Sequence, residues 1–387
     1  MIIQWFHNLG GGLCAPIDAS AGREQLEKRV NVKKLVSAVS IVAASALVLS
    51  ACGSGDSGDS NAEDFLGCMV SDSGGWDDQS FNQSGREGLT NAKKNLGIEE
   101  SLAESQGDAD FKPNVDNMIQ QGCNLTFGVG FLLEDAIQEA AEANTDLNFA
   151  LIDSTFSDAD GKPVTLDNAK PLVFNTAEAA YLAGYVAAAT SESGKVGTFG
   201  GIQIPSVTIF MDGFADGVKK FNEENKKDVK LLGWNKEKQD GSFSGDFENQ
   251  GQGQALTKQL ISQGADVVMP VAGPVGLGAA AAAKEAKDVK LVWVDSDGYE
   301  STEYGDIILT SVVKQIANAV EDTVAEAQKD NFSSEPYVGT LENEGVGLAP
   351  YHDFDDKVPE DVKKKVEELK KQIIDGSLTV ESESTPK

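Results

Sequence analysis

Carboxylates, one lysine, glycine turns and aromatic side chains gather where short apolar runs of this chain stop. After "FLGCMVS" (65–71) comes "DSGGWDDQSFNQSGREG" (72–88), which carries Asp72, Asp78, Phe81 and Asn82. Asp153 closes "NFALID" (148–153), and "GPVGLG" (273–278), beginning at Gly273, follows "DVVMPVA" (266–272). "DSDGY" (295–299), with Asp295 and Asp297, follows "KLVWV", and Lys314 closes "ILTSVVK". Carboxylates accept hydrogen bonds from vicinal hydroxyls or exocyclic amines. Aromatic faces cover flat bases or sugars. Together these residue types suit a small, flat, polar ligand.

Each element also has a plainer reading. Asp72, Asp78 and Ser80 could cap the helix that "DQSFN" opens. Phe81 could be a core residue, and Asp295 and Asp297 could simply end a strand. "GPVGLG" lacks the lysine of a phosphate loop and is not G-x-G-x-x-G. "DSDGY" and "DADGK" (158–162) lack the full spacing of a calcium loop and read as exposed turns. "GQGQ" (251–254) reads as a helix entry. The chain has only two histidines, His7 and His352, which argues against Ser-His-Asp or Cys-His catalysis and against a histidine-rich metal site. No metal or other cofactor is expected.

The elements that must position these residues alternate. Strand-like runs at 65–71, 101–105, 125–130, 148–153, 171–176, 195–201, 229–234, 266–272, 290–296 and 306–313 are separated by amphipathic segments such as "LEDAIQEAAEAN" and "GQALTKQLISQG". Several runs are apolar throughout, as expected when helices cover both faces of a sheet. The alternation predicts α/β architecture with doubly wound parallel sheets. There are too many strands for one small sheet, and the pattern restarts near Glu178, so two lobes are expected. Lobe 1 takes 65–175 plus 299–331, and lobe 2 takes 176–298 plus 332–380. "DDKVPEDVKKKVEELKKQIIDGS" reads as a late solvated helix and "TVESESTPK" as a frayed end.

The beginning of the chain reads as a targeting segment. "NVKKLVSAVSIVAASALVLSAC" places two lysines before an alanine- and valine-rich run that stops at Cys52. A basic start, a short apolar run and small residues before a cut describe a secretory signal over residues 1–51. Residues 1–29 fit it poorly, and a true start near Val30 or Val32 is expected. Leu49-Ser50-Ala51-Cys52 looks like a bacterial lipobox, which implies cleavage before Cys52 and palmitate-type lipid on it. A spanning helix is the alternative, but the run lies at the lower edge of spanning length. "GSGDSGDSNAED" then gives residues 52–64 the composition of a flexible, self-repelling linker. With 32 basic and 62 acidic residues the net charge is -30, which repels phosphate backbones and anionic lipid. Nucleic acid is therefore excluded as a partner, and membrane attachment must come from the lipid. Of four cysteines, Cys68 and Cys123 lie in the body. In a 2-1-3 strand order their strands are neighbours, which permits a disulfide at the end away from the ligand. Two buried free thiols are the alternative.

The ordered segments "DDQSFNQSGREGL" (77–89), "NFALID", "EAAYLAGYVAA" (178–188), "GKVGTFGGIQIPSVTIFMDGFADGV" (194–218), "GQALTKQLISQGADVV" (253–268), "VDSD" (294–297), "LTSVVK" (309–314) and "GVGLA" (345–349) carry a resemblance. Through them the chain resembles the basic membrane protein (BMP) family of ABC-transporter substrate-binding lipoproteins, and within it the purine nucleoside receptors. The resemblance implies a fold like the type I periplasmic binding proteins, with two α/β lobes, a hinge and a ligand in the cleft. It implies a monomer on the extracytoplasmic face of the cell membrane, lipid-anchored, with permease subunits as partners and a nucleoside-like ligand. Carried over by motif, Phe81 and Phe210 stack on the base, and Asp78 and Asn82 reach its edge. Asp153, Asp295 and Lys314 surround the ribose, with Gly273 close by through its backbone. The chain departs from the family at "AGPVGLG", where the usual pattern is similar to A-G-G-T-G-N-G. Pro274 removes an N–H there, and Val275 and Leu277 replace polar residues. Alternatives are a nucleoside hydrolase using the carboxylates, a lipid-anchored sensor, and a sugar binder of the same fold.

Overall fold

The computed structural model describes residues 65–386, so Cys52, the signal segment and the linker lie outside the described residues. Two six-stranded sheets organise the body. The first is built from β1 (Leu66–Ser73), β2 (Glu99–Ser105), β3 (Leu125–Val129), β4 (Asn148–Ile152) and β5 (Ala169–Phe174). The second contains β6 (Lys195–Gly200), β7 (Lys230–Leu232), β8 (Val267–Val271), β9 (Lys290–Asp295) and β10 (Ile308–Lys314). β11 (Tyr337–Gly339) joins the first sheet and β12 (Val346–Leu348) the second. The strand orders are β11-β5-β4-β3-β1-β2 and β12-β10-β9-β8-β6-β7. All neighbours are parallel except β10 and β12. β1, β3, β4 and β5 are almost wholly buried, as parallel strands covered on both faces must be.

The helices follow the same alternation: α1 (Phe81–Leu96), α2 (Asp108–Gln121), α3 (Glu134–Ala143), α4 (Thr176–Thr190), α5 (Pro205–Asn225), α6 (Gln250–Ser262), α7 (Val275–Ala286), α8 (Gly298–Ser301), α9 (Ile316–Gln328) and α10 (Glu360–Ile374). α4 is apolar on all sides because α5, α10, β10 and β12 surround it. α5 lies against it so closely that a side chain at Gly217 would run into the backbone of Tyr181. The amphipathic α10 buries Val362, Val366, Leu369 and Ile373.

The chain crosses between lobes three times, after β5, after β10 and between β11 and β12. Two lobe assignments made from the sequence are corrected by this path. Residues 308–314, expected in the first lobe, pair with β9 in the second sheet. Residues 337–339, expected in the second lobe, pair with β5 in the first. The second crossing therefore comes after β10, and α9 packs on α1 of the first lobe. The end of the chain is a further correction, because "TVESESTPK" is docked over its described residues. Val380 is buried, Ser382 Oγ donates to Asp212 at 2.6 Å, and the Ser384 and Thr208 hydroxyls are 2.8 Å apart. Short hydroxyl side chains fit this backbone to α5, and composition alone does not reveal it. Cys68 and Cys123 are joined as a disulfide near the N-terminal ends of β1 and β3, away from the strand ends described next.

Candidate ligand-binding site

In each lobe the first strand's two neighbours in the sheet are reached by opposite crossovers, and open α/β sheets bind ligands outside the carboxyl ends of the strands at such switch points. The two switch points face each other across one cleft. All eight residues expected to bind ligand line it: Asp78, Phe81, Asn82 and Asp153 from the first lobe, Phe210, Gly273, Asp295 and Lys314 from the second.

Lys314 occupies the centre. It ends β10 just before a crossing, is 4% exposed, and donates to Asp153 of the first lobe. Its Nζ lies 3.2 Å from Asp295 Oδ1. Burial pulls the ammonium down, but the two carboxylates more than offset it and hold its pKa above the usual lysine value. Asp153 and Asp295 follow or end β4 and β9, the corresponding strands of the two lobes, and both have left-handed backbones, with φ of 64° and 69°. Non-glycine residues adopt this conformation at a cost of about 1–3 kcal/mol, and here the turn aims both carboxylates at one amine. Lys314 Nζ is also 5.1 Å from the Phe81 ring centroid and 5.0 Å from that of Phe210. The two rings, one from each lobe, thus border a common space.

The loop after β1 is built by its own acids. Asp78 accepts from the backbone N–H groups of Ser80, Asn82 and Gln83 at 2.8–3.0 Å, so the cap reading of this residue describes what it does in the fold. Burial pushes its pKa up to about 6 against those three donors. Its role at the cleft is to fix Phe81 and Asn82 at the start of α1. Asn82 Nδ2 donates to Asp72 at 2.7 Å, which orients the amide and leaves Asn82 Oδ1 buried without a hydrogen-bond partner in the protein. Asp295 Oδ2 accepts from Ser80 Oγ at 3.0 Å, while Asp295 Oδ1 is held in the ion pair with Lys314 at 3.2 Å. One buried acceptor, Asn82 Oδ1 on the first lobe, therefore stands open to a ligand, an arrangement that is costly if left unfilled.

Asp72, which the sequence places among the acids after the first strand with a cap as the plainer reading, was not among the expected ligand-binding residues and proves to be a cleft residue. Its carboxyl is buried, and desolvation, with the charges of Asp78, Glu248 and Asp153, raises its pKa to about 8 despite the Asn82 bond. It is therefore a neutral acid at pH 7, able to donate. Gly130 (φ 98°) makes room for it, since a Cβ there would lie 2.6 Å from Asp72 Oδ2. Phe131, Ile204, Val207 and Phe247 also line the cleft and were missed, because apolar side chains carry no signal in sequence that separates lining from core. Pro274, noted as a departure in sequence, lies at the cleft as well.

One edge of the cleft is latched. The Gln79 carbonyl on the first lobe accepts from Trp293 Nε1 at 3.3 Å, Ser296 Oγ at 2.9 Å and Ser301 Oγ at 3.0 Å on the second. Ser80 Oγ also lies 3.1 Å from the Val294 carbonyl. The "DADGK" segment is a turn in which Asp158 accepts from Asp160 and Lys162 backbone N–H groups. Asp297 caps α8 and contacts His352 at 2.7 Å.

Residues 65–383 match the family described as ABC transporter substrate-binding protein, PnrA-like (Bmp). The chain belongs to the Bmp family. Among curated relatives it is 32% identical to the ABC transporter nucleoside-binding protein BmpA of Lactococcus lactis subsp. cremoris, over 91% of this chain and all of that protein. It is 32% identical to the CD4+ T-cell-stimulating antigen of Listeria innocua, over 89% of this chain and 97% of that one. Basic membrane protein A1 of Borrelia garinii is 28% identical over 79% of this chain and 86% of its own length. The fold matches an ABC transporter solute-binding protein from Aeropyrum pernix with a TM-score of 0.72 at 23% identity, covering 81% of this chain and 92% of that one. This Bmp-family chain is thus built as a two-lobe substrate-binding protein of an ABC transporter.

Proposed function

We propose that this Bmp-family protein binds a purine nucleoside between its lobes and delivers it to an importer's permease subunits. It works as a monomer and as a carrier rather than a hydrolase, held on the outer face of the cell membrane by lipid on Cys52. The observation that carries the reading is one cleft bordered by Phe81 and Phe210 from the two lobes, with the unpaired acceptor Asn82 Oδ1 and the Lys314-held carboxylates of Asp153 and Asp295 in its lining. A flat base fills the space between the rings, each stacking contact contributing about 1 kcal/mol beyond area burial. Asn82 accepts from an amine or ring N–H, and the neutral Asp72 donates to a ring nitrogen or carbonyl. Asp295 accepts from the ribose diol, and Lys314 donates to ribose oxygens while it neutralises the carboxylates that closure buries. The name of the Lactococcus relative supports the same ligand class. Native mass spectrometry of the purified chain tests the proposal. A co-purified nucleoside, intact after incubation, is expected. A bound sugar, or release of free base from added nucleoside, contradicts it.

A further inference from the structure

Beyond Lys314 the cleft opens into a second chamber. The room on the Asp295 side is about 60 Å³, and the room on the far side of Lys314 is about 630 Å³. Phe131, Asp153, Ser206 and Lys314 border both spaces, whereas Asp295 borders only the first. The chamber is walled by the segment after β4 on the first lobe and, on the second, by the start of α5 together with the docked end of the chain. Its ionised lining among the described residues is one-sided. Glu134, Glu335 and Glu383 face it along with Asp153, and the single cation is Lys314, already held by two carboxylates. Glu134 is fixed by Ser154 and Ser157, whose hydroxyls donate to it at 2.9 and 2.6 Å.

Resting on the nucleoside reading of the cleft, we infer that the site continues into this chamber and takes nucleosides carrying an uncharged or cationic substituent on the 5′ carbon. The geometry supplies the direction. Asp295 borders only the first space and Asp153 borders both, so a ribose with its diol on Asp295 and its 5′ carbon turned toward Asp153 points into the chamber. The charge supplies the class. Carboxylates in a partly enclosed space favour an ammonium or a hydroxylated group and repel a phosphate. The walls are mixed, with Phe156, Val164 and Phe174 beside the hydroxyls, so an alkylthio group is accommodated as well.

Calorimetry on the purified chain tests this with four probes of one purine: the parent nucleoside, its 5′-amino-5′-deoxy and 5′-methylthio derivatives, and its 5′-monophosphate. The amine and the thioether are expected to bind within about threefold of the parent or tighter, and the monophosphate about 100-fold more weakly. In the double variant Glu335→Lys, Glu383→Lys the amine-to-parent preference is expected to fall and the phosphate penalty to shrink by about tenfold. Both residues are exposed, so folding is retained, and ratios between probes cancel any general loss. Parent binding with both derivatives more than about 30-fold weaker, or ratios unchanged in the double variant, overturns the inference while leaving the nucleoside reading intact. If neither the parent nor any derivative binds, the nucleoside reading itself fails and the extension fails with it.

Discussion

Asp72 shows how burial alone converts a residue's chemistry. With a pKa of about 8 it is protonated at pH 7 and donates. Below about pH 7 nucleoside affinity is therefore expected to be flat as far as this group is concerned. At pH 9 it is expected to be about tenfold weaker, since one unit above the pKa most of the donor is gone. Asp72→Asn keeps a donor and should flatten the profile, which calorimetry between pH 6 and 9.5 reads directly. The stability sign is the reverse of the usual carboxylate case. Between the unfolded value near 3.8 and the folded value near 8, the native state holds a proton that the unfolded chain has lost. This contribution is thus fully present below pH 4 and lost as pH rises through 8. Asp78, Asp153 and Glu248 face Asp72 and broaden the transition. The chemistry at this scale was legible where a residue ends a strand, as with Asp153, Asp295 and Lys314, because strand ends are readable from apolar runs. It was not legible for Asp72, whose environment depends on Gly130, Asp153 and Glu248 arriving from other parts of the fold.

Among the elements, the strands were readable from their apolar runs and the crossings were not. β10 looks like any other buried strand, and only its pairing with β9 assigns it to the second lobe. The latch on Gln79 was hidden for the same reason: "VWVDSDGYES" shows serines, but not that two of them meet a carbonyl more than 200 residues away. These donors hold the lobes together, so Ser296→Ala with Ser301→Ala should favour the open form. With each neutral hydrogen bond contributing about 1 kcal/mol, ligand affinity is expected to fall about five- to thirtyfold without loss of thermal stability in either lobe. Small-angle scattering of the unliganded variant should show a larger radius of gyration. An unchanged radius and affinity would show that the latch is incidental. The Cys68–Cys123 bond closes a loop with a sequence separation of 55, for which the chain-entropy account predicts about 4 kcal/mol. Cys68→Ser with Cys123→Ser should lower the melting temperature substantially yet leave ligand affinity unchanged, because the bond lies at the far ends of the strands. Two free thiols in the unfolded, unreduced wild type would contradict it.

For the whole molecule, the net charge of -30 and the matched family set the role, and the site sets the ligand. Cys52→Ala is expected to release the protein from membranes with its melting temperature unchanged, because the body from residue 65 onward contains both sheets. Fractionation of cells expressing the variant checks this, and persistence in the membrane fraction contradicts the lipid anchor. The two-lobe plan was legible because the strand–helix alternation restarts near Glu178, while the docking of residues 380–386 was not, since their composition resembles a solvated tail. The central claim is that the cleft recognises base and ribose together. It is tested most directly by calorimetry of the wild type and Asp295→Ala with a purine nucleoside, its free base and its 5′-phosphate. The wild type is expected to prefer the nucleoside to the base by about 100-fold, in keeping with a charge-assisted pair of hydrogen bonds. The phosphate, meeting Asp153 and Asp295 across a desolvated gap, should bind more weakly still, and Asp295→Ala should lose most of the preference over free base. Equal affinity for nucleoside and 5′-phosphate, or an Asp295→Ala protein that still discriminates ribose, would contradict it.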